Sequence, residues 1–407
     1  MAGKQSTVAK VTTPSIAIVA GEASGDASGS ALAVELRKLC PDITIWGAGG
    51  PKMRAAGVEL VSDFSSVGAI GIVESLKMVP RLLCELARLK KEFCKRQPDV
   101  FVPIDFGAFN VKLGRFVREQ GIPTVYYFPP GSWRKRPGKN SSLLAASDRI
   151  ITPFPWSAEI LTKVGADALF LGHPLLDQVV PSMDVDQLID VLDPKYEIPK
   201  GARIVGILPG SRTHEIDNIL PAMLEAASII EDEVPYKCCF IIAAGSDKAT
   251  RKINQILNDF EAGADLITEN IYVSRGRTYD VMANSDLLIS CSGTATLEAM
   301  ILTTPMIIVY RGSSLMKLEY LFRKSILEQF IGMPNIVAGR EICPELLGDQ
   351  ASPEKIAELA VKYLKEPVEL QRMRVALQSA REVLGAPGGT GRAAKVVLAA
   401  AGLQPRA

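Results

Sequence analysis

The chain has 407 residues, enough for two or three domains at roughly 100–200 residues each. With 47% hydrophobic and 22% charged residues it has the composition of a folded globular protein, which excludes disorder as the dominant state. A net charge of +1 argues against a globally basic nucleic-acid binder, and two histidines, His173 and His214, nearly exclude a histidine-built zinc site.

The first half alternates short β-rich runs with helical stretches. The predicted strands are Ser15–Ala20, Ile43–Trp46, Asp99–Ile104, Thr124–Phe128, Arg149–Thr152 and Ala168–Leu171. Most are continuously apolar, the mark of strands buried on both faces of a parallel sheet. A polar, proline-punctuated stretch from Gln178 to Lys200 then marks a boundary. The second half repeats the scheme with Arg203–Leu208, Cys238–Ala243, Asn270–Val273, Asp286–Ser290 and Met306–Tyr310. The chain ends in helices near Pro353–Leu364, Val368–Leu384 and Gly391–Ala400. Strand–helix alternation in both halves predicts two α/β domains.

The seven cysteines (Cys40, Cys84, Cys94, Cys238, Cys239, Cys291 and Cys343) are scattered and form no C-x-x-C pair. This fits buried thiols in a reducing cytoplasm. Neither a secretory h-region nor an apolar run of ~18 residues is visible, so no signal peptide or transmembrane helix is expected.

Ligands of open α/β sheets bind beyond the carboxyl ends of the strands, so the loops there are the candidate sites. The first is Ala20-Gly21-Glu22-Ala23-Ser24-Gly25-Asp26, which reads either as a ligand loop or as a tight turn with Asp26 or Ser28 as N-cap. Asp105 stands where the apolar strand Asp99–Ile104 stops. It is placed as a general base for a hydroxyl or as the N-cap of the helix after Gly107. Leu208-Pro209-Gly210-Ser211-Arg212 puts an arginine at a strand end, suited to a diphosphate or simply paired with Glu215. Ser290-Cys291-Ser292-Gly293-Thr294-Ala295-Thr296-Leu297-Glu298, between the strand Asp286–Ser290 and a helix starting near Thr294, reads as a phosphate cradle of small residues or as a capping motif. Glu298, about one turn in, is placed to accept from ribose hydroxyls. His173, in Gly172-His173-Pro174, reads as a structural hinge or as a residue lining a cleft.

One further helix carries a surface signal. Ile72, Leu76, Val79, Leu83 and Leu86 form one helical stripe, interrupted by Pro80. From Lys77 to Arg96 seven basic residues, Lys90 and Lys91 among them, face only Glu85 and Glu92, a net of +5. An interfacial helix on an anionic membrane and a core helix with a solvated basic face both fit. A second basic cluster comprises Arg134, Lys135, Arg136 and Lys139 beside Trp133.

Taken together these segments resemble the lipid-A-disaccharide synthase family. The resemblance runs in order through Ala20–Asp26, Gly50-Pro51-Lys52-Met53, Gly71-Ile72-Val73-Glu74, Pro98–Asn110, Gly172-His173-Pro174, Leu208–Arg212, Ser292–Glu298 and Met333–Arg340. It implies a GT-B fold of two Rossmann-like parallel-sheet domains facing a central cleft. An acceptor- and membrane-facing domain would span 1–180 and a nucleotide-sugar domain 181–365, with the helices of 366–407 packed back on the first. It further implies inverting transfer of diacyl-glucosamine from UDP-diacyl-glucosamine to the 6-hydroxyl of lipid X, a diacyl-glucosamine 1-phosphate. The products are the β-1,6 disaccharide 1-phosphate and UDP. No metal or other cofactor is expected, and no nucleic acid. The enzyme would be cytoplasmic, peripheral on the inner face of the cell membrane, and possible as an oligomer.

In this reading Asp105 is the base. Ser211, Arg212, Ser292, Gly293, Thr294, Thr296 and Glu298 bind UDP, and Glu22, Ser24 and Asn335 line the acceptor side and cleft. Ile72, Leu76, Val79, Leu83, Lys90 and Lys91 face the membrane. Two positions depart from the family pattern, Ala108 for a second carboxylate and Lys135 for a tryptophan, both on the acceptor side. The competing readings are a related GT-B transferase with another acceptor, a UDP-sugar 2-epimerase, and a non-catalytic nucleotide-sugar-binding protein.

Overall fold

The computed structural model describes residues 13–21, 23–64, 72–129, 142–192, 198, 202–263, 270–311 and 330–404. It divides into two units, Met1–Asp177 with Leu384–Ala407, and Gln178–Val383.

The first unit is built on a seven-stranded parallel sheet. In chain order its strands are β1 (Ser15–Ala20), β2 (Thr44–Gly49), β3 (Glu59–Asp63), β4 (Val100–Ile104), β5 (Val125–Tyr127), β6 (Arg149–Thr152) and β7 (Ala168–Phe170). Their order across the sheet is β3-β2-β1-β4-β5-β6-β7. The chain therefore runs outward from β1, returns, and resumes at β4, which makes β1/β4 the switch point where such sheets bind ligands. Ala20 pairs with Ile104 at its carboxyl end.

Alternation along the strands feeds two cores. Ile16, Ile18, Val100 and Val102 pack with Leu32 and Leu36 of the helix Ala23–Leu39 and with Val397 and Leu398 of the last helix. Ala17, Val19 and Phe101 face the other way, against Trp46, Leu89, Phe93 and Leu113. Both faces are dry, which is why these strands read as continuous apolar runs.

The second unit repeats the plan with β8 (Arg203–Leu208), β9 (Cys238–Ala244), β10 (Ile271–Arg275), β11 (Leu287–Cys291), β12 (Met306–Tyr310) and β13 (Glu345–Leu347). The order β10-β9-β8-β11-β12-β13 puts its switch point at β8/β11, with Leu208 opposite Ser290. The helix Pro353–Lys365 buries Ile356, Ala360 and Leu364 in this unit's core.

The C-terminal helices divide differently from the expectation. Only Gly389–Ala400 packs on the first unit, where Ala393, Ala394, Val397 and Leu398 join its core. Pro367–Glu382 stays with the second. Its buried stripe Leu370, Met373, Leu377 and Ala380 turns inward there, and Met373 Sδ accepts from the Met306 N–H at 3.2 Å. An amphipathic stripe fixes which face is buried, not which unit buries it.

The last helix is anchored through its leading loop. Arg392 donates to the carbonyls of Leu171, Pro387 and Ala386 at 2.9, 2.9 and 2.6 Å, and Asp177 accepts from the Gly388 N–H at 2.5 Å. His173 lies in this junction. Its N–H donates to the Leu384 carbonyl and its Nδ1 accepts from the Leu175 N–H. Burial lowers its pKa from 6.5 to about 4, so it is neutral near pH 7 and holds this junction through those hydrogen bonds.

Candidate active site

At the first switch point the backbone turns in an unusual way. Asp105, Phe106 and Gly107 are all left-handed, with φ of 43°, 58° and 46°. Such a conformation costs a non-glycine residue roughly 1 kcal/mol or more. The N-cap of the helix Gly107–Glu119 is Phe106, with no side-chain cap, so Asp105 is not the cap that its position also allowed. It is exposed at the end of a fully buried strand.

Several groups hold the turn. The Asp105 N–H donates to the carbonyls of Phe128 at 3.1 Å and Tyr127 at 3.4 Å. Its own carbonyl accepts from the Tyr126 hydroxyl at 2.7 Å and from Asn110 Nδ2 at 3.2 Å. The Phe106 ring rests on Gly21, where a Cβ would fall 1.9 Å from the ring. Phe106 also meets Phe64 and Phe109 at centroid distances of 5.2 and 4.8 Å. Burial, and then the Asp105 charge, pushes the Tyr126 hydroxyl well above its ordinary pKa.

Beside this turn, the helix after β1 begins at Ala23 and exposes Ser24 in its first turn. Glu22 lies outside the described residues. Asp26 has a different job from an N-cap of that helix. Its carboxylate accepts from the N–H groups of Gly50, Lys52 and Met53, each at 2.9 Å, and caps the short helix Pro51–Ala55.

At the second switch point the loops after β8 and β11 lie side by side. Gly210, at φ 106°, lets the chain turn, and a Cβ there would meet Glu215 at 2.7 Å. Glu215 accepts from the N–H groups of Ser211 and Arg212 at 3.1 Å and pairs with the Arg212 guanidinium at 3.0 Å. The arginine side chain is nevertheless 57% exposed. An exposed pair of this kind is worth about 1 kcal/mol or less, so the guanidinium can be recruited by an anion. Burial and the nearby Glu215 push the Cys291 thiol up to about 12, opposed by Arg212.

The helix Thr294–Ile301 starts at Gly293 with no side-chain cap, and Gly293 and Thr294 are exposed. One turn on, Glu298 accepts from the Tyr279 hydroxyl at 3.1 Å. Burial, then Glu298, raises the Tyr279 pKa to about 12.

A sequence profile described as Lipid-A-disaccharide synthetase matches residues 16–395. The chain belongs to that family. It is 36% identical over 386 residues to the lipid-A-disaccharide synthase of Geobacter metallireducens, covering 94% of this chain and 96% of that one. To the Geobacter sulfurreducens synthase it is 35% identical over 394 residues, covering 97% and 99%. It is thus a glycosyltransferase of lipid A biosynthesis that makes the lipid A disaccharide.

Solved structures place the fold among GT-B proteins. A putative UDP-N-acetylglucosamine 2-epimerase from Listeria monocytogenes aligns with a TM-score of 0.57 at 14% identity, covering 96% of each chain. A glycosyltransferase from Rickettsia africae aligns at 0.53 and 12%, covering 95% of this chain and 99% of that one. At such identities the likeness is of fold alone.

Not every residue expected in the synthase's site faces one. Thr296 is fully buried. Its hydroxyl donates to the Gly293 carbonyl at 2.8 Å and accepts from the Met333 N–H at 3.3 Å, so it shapes the helix start from behind. Ser292 donates to the Ile331 carbonyl at 3.2 Å. Asn335 is buried with both ends taken. Its Oδ1 accepts from the Ile342 and Cys343 N–H groups, and its Nδ2 donates to the Cys343 carbonyl and Glu345. It ties the helix Met333–Ala338 to β13 and is not a cleft residue.

The basic helix spans Ile72–Arg96. Leu89 and Phe93 are in the core, with Leu82 and Leu86 packed against it, whereas Val79 and Leu83 are 45% and 53% exposed. The predicted stripe therefore divides into an inward part and an outward part. Lys91 is exposed, while Lys90 lies over the Phe116 ring at 4.6 Å. The side chains of Ile72 and Leu76, and the cluster Trp133–Lys139, lie outside the described residues. Among the described residues no helix is long and apolar enough to cross a membrane.

Nothing in the sequence alone assigns a role to Asn110, Tyr126 or Tyr279: Asn110 ends the segment Pro98–Asn110, Tyr126 lies within an apolar strand run, and Tyr279 lies in no motif.

Proposed function

We propose that the synthase transfers diacyl-glucosamine from UDP-diacyl-glucosamine to the 6-hydroxyl of lipid X, with inversion at the anomeric carbon. Asp105 takes the proton of the attacking hydroxyl as the new C1–O bond forms. The C1–O bond to the diphosphate breaks, and its electrons leave with UDP. The observation that carries this reading is the exposed Asp105 on a left-handed turn at the β1/β4 switch point, directly after a fully buried strand. Ala108 leaves Asp105 as the one carboxylate of the segment Asp105–Asn110.

On the donor side, Arg212 and the backbone N–H groups at Gly293–Thr294 neutralise the charge that develops on the departing diphosphate. Glu298, held by Tyr279, accepts from the ribose hydroxyls. Ser211 and Ser292 border this site. Glu22 and Ser24 shape the acceptor side. The first unit is then the acceptor domain and the second the nucleotide-sugar domain.

The outward residues Val79, Leu83 and Lys91 rest on an anionic membrane surface at the inner face of the cell membrane, where acylated substrates reside. Their exposure beside the cationic run supports this. Mass spectrometry of the products from UDP-diacyl-glucosamine and lipid X tests the reaction. A disaccharide 1-phosphate plus UDP is expected. UDP release without a disaccharide would count against lipid X as acceptor, and a 2-epimerised sugar against transfer itself.

A further inference from the structure

Asn110 sits in the helix Gly107–Glu119, fully buried beneath the carboxyl ends of β1 and β4. Its Nδ2 donates to three carbonyls: Val19 of β1 at 3.0 Å, Ile104 of β4 at 3.1 Å and Asp105 at 3.2 Å. Three acceptors around one nitrogen fix the amide's orientation, because exchanging O and N would set oxygen against three oxygens. The cost shows on the other side of the group, where Oδ1 is buried without a hydrogen-bond partner. Buried orphan acceptors are rare and call for a reason. A second donor, the Tyr126 hydroxyl, reaches the same Asp105 carbonyl from β5 at 2.7 Å. Two buried side chains from different elements thus converge on the backbone of one exposed acid.

We propose that Asn110 is a positioning residue for the transfer: its amide, with the Tyr126 hydroxyl, locks the Asp105 backbone in the left-handed turn that aims the carboxylate at the acceptor hydroxyl. This rests on Asp105 being the base. Neither Asn110 nor Tyr126 touches substrate. Both act by restricting where Asp105 points.

The test is steady-state kinetics and UDP calorimetry on the full chain carrying Asn110→Ala, Tyr126→Phe, Asp105→Asn, and each of the first two combined with Asp105→Asn. Asn110→Ala is expected to lower kcat about 10- to 100-fold, the scale of a misplaced reacting group, with KM for the UDP-sugar and UDP affinity unchanged. Tyr126→Phe is expected to lower kcat about 3- to 10-fold in the same pattern. In the Asp105→Asn background neither change should lower kcat further, because no carboxylate remains to be aimed. A general loss of folding would instead multiply with the Asp105 effect. Should Asn110→Ala fail to fold, Tyr126→Phe and its double variant decide alone. Wild-type kcat in the folded single variants, or losses that multiply with Asp105→Asn, overturn the proposal while leaving Asp105 as base. Near-normal kcat in Asp105→Asn overturns the base assignment and the proposal with it.

Discussion

At the switch point of the first sheet two non-glycine residues, Asp105 and Phe106, are held left-handed by buried donors and a packed ring. At that of the second sheet Gly210 and Gly293 carry the unusual backbone, at φ 106° and 155°, and the side chains of Ser211, Arg212 and Thr294 stay exposed. The first arrangement costs about 2 kcal/mol of backbone strain, offset by hydrogen bonds to Asp105 worth about 1 kcal/mol each. The second is nearly free of strain. The difference matches the two tasks. A base must meet one proton within about 0.5 Å, which favours a rigid mounting. A diphosphate offers several oxygens to whichever donors are near, which tolerates an exposed guanidinium and an uncapped helix start.

The largest effect should come from the rigid side. Asp105→Asn keeps the shape and removes the base, so kcat should fall about 10²- to 10⁴-fold while calorimetric UDP affinity stays unchanged. A loss of less than tenfold would put the proton elsewhere. On the open side, Arg212→Ala should weaken UDP binding about 10- to 100-fold through a lost charge-assisted contact. It should barely move the melting temperature, because the pair with Glu215 is exposed. Unchanged affinity would leave Arg212 as a surface residue. Alanine at Gly21 tests how tightly the turn is packed. The new methyl would stand 1.9 Å from the Phe106 ring, so about 1–3 kcal/mol of stability should be lost, read from urea midpoints, together with kcat. Gly293→Ala meets nothing within 4 Å, but its φ of 155° suits glycine alone, so about 1–3 kcal/mol of stability should be lost along with UDP affinity.

The sequence was informative where one segment settles its own structure. Continuous apolar runs revealed eleven of the thirteen strands among the described residues. The two missed were Glu59–Asp63, which has acidic ends and lies at a sheet edge, and the three-residue Glu345–Leu347. Asp105 could be singled out because a carboxylate directly after a buried strand is visible in one dimension. Asn110 could not, since its partner Val19 lies 91 positions away and becomes a neighbour only once β1 and β4 pair. Thr296 and Asn335 misled for the converse reason. Small polar residues near helix starts look like ligand contacts, but here neighbouring backbone groups use up their hydrogen bonds. Asp26 looked like a local cap and instead holds Gly50–Met53, 24 to 27 positions on.

The smallest expected effect asks whether the rigid side depends on pH. The carbonyl of Phe128, itself at φ 58°, accepts from the Asp105 N–H, and its ring lies parallel to His173 at 6.5 Å. Burial holds the His173 pKa at about 4, against 6.5 in its unperturbed state. Between those values the unfolded chain binds a proton that the folded chain refuses. Stability is therefore full above about pH 6.5 and declines as pH falls toward 4, below which this contribution stops changing. From pH 7 to pH 6 the loss should be somewhat under 1 kcal/mol, growing on further acidification. His173→Asn keeps an acceptor for the Leu175 N–H without a group that titrates there, so it should flatten the acid slope of the urea midpoint. Hydrogen exchange should show the first unit, which holds His173, loosening as the pH falls. An unchanged slope in His173→Asn would assign the acid sensitivity to other groups and leave the mounting of Asp105 indifferent to pH.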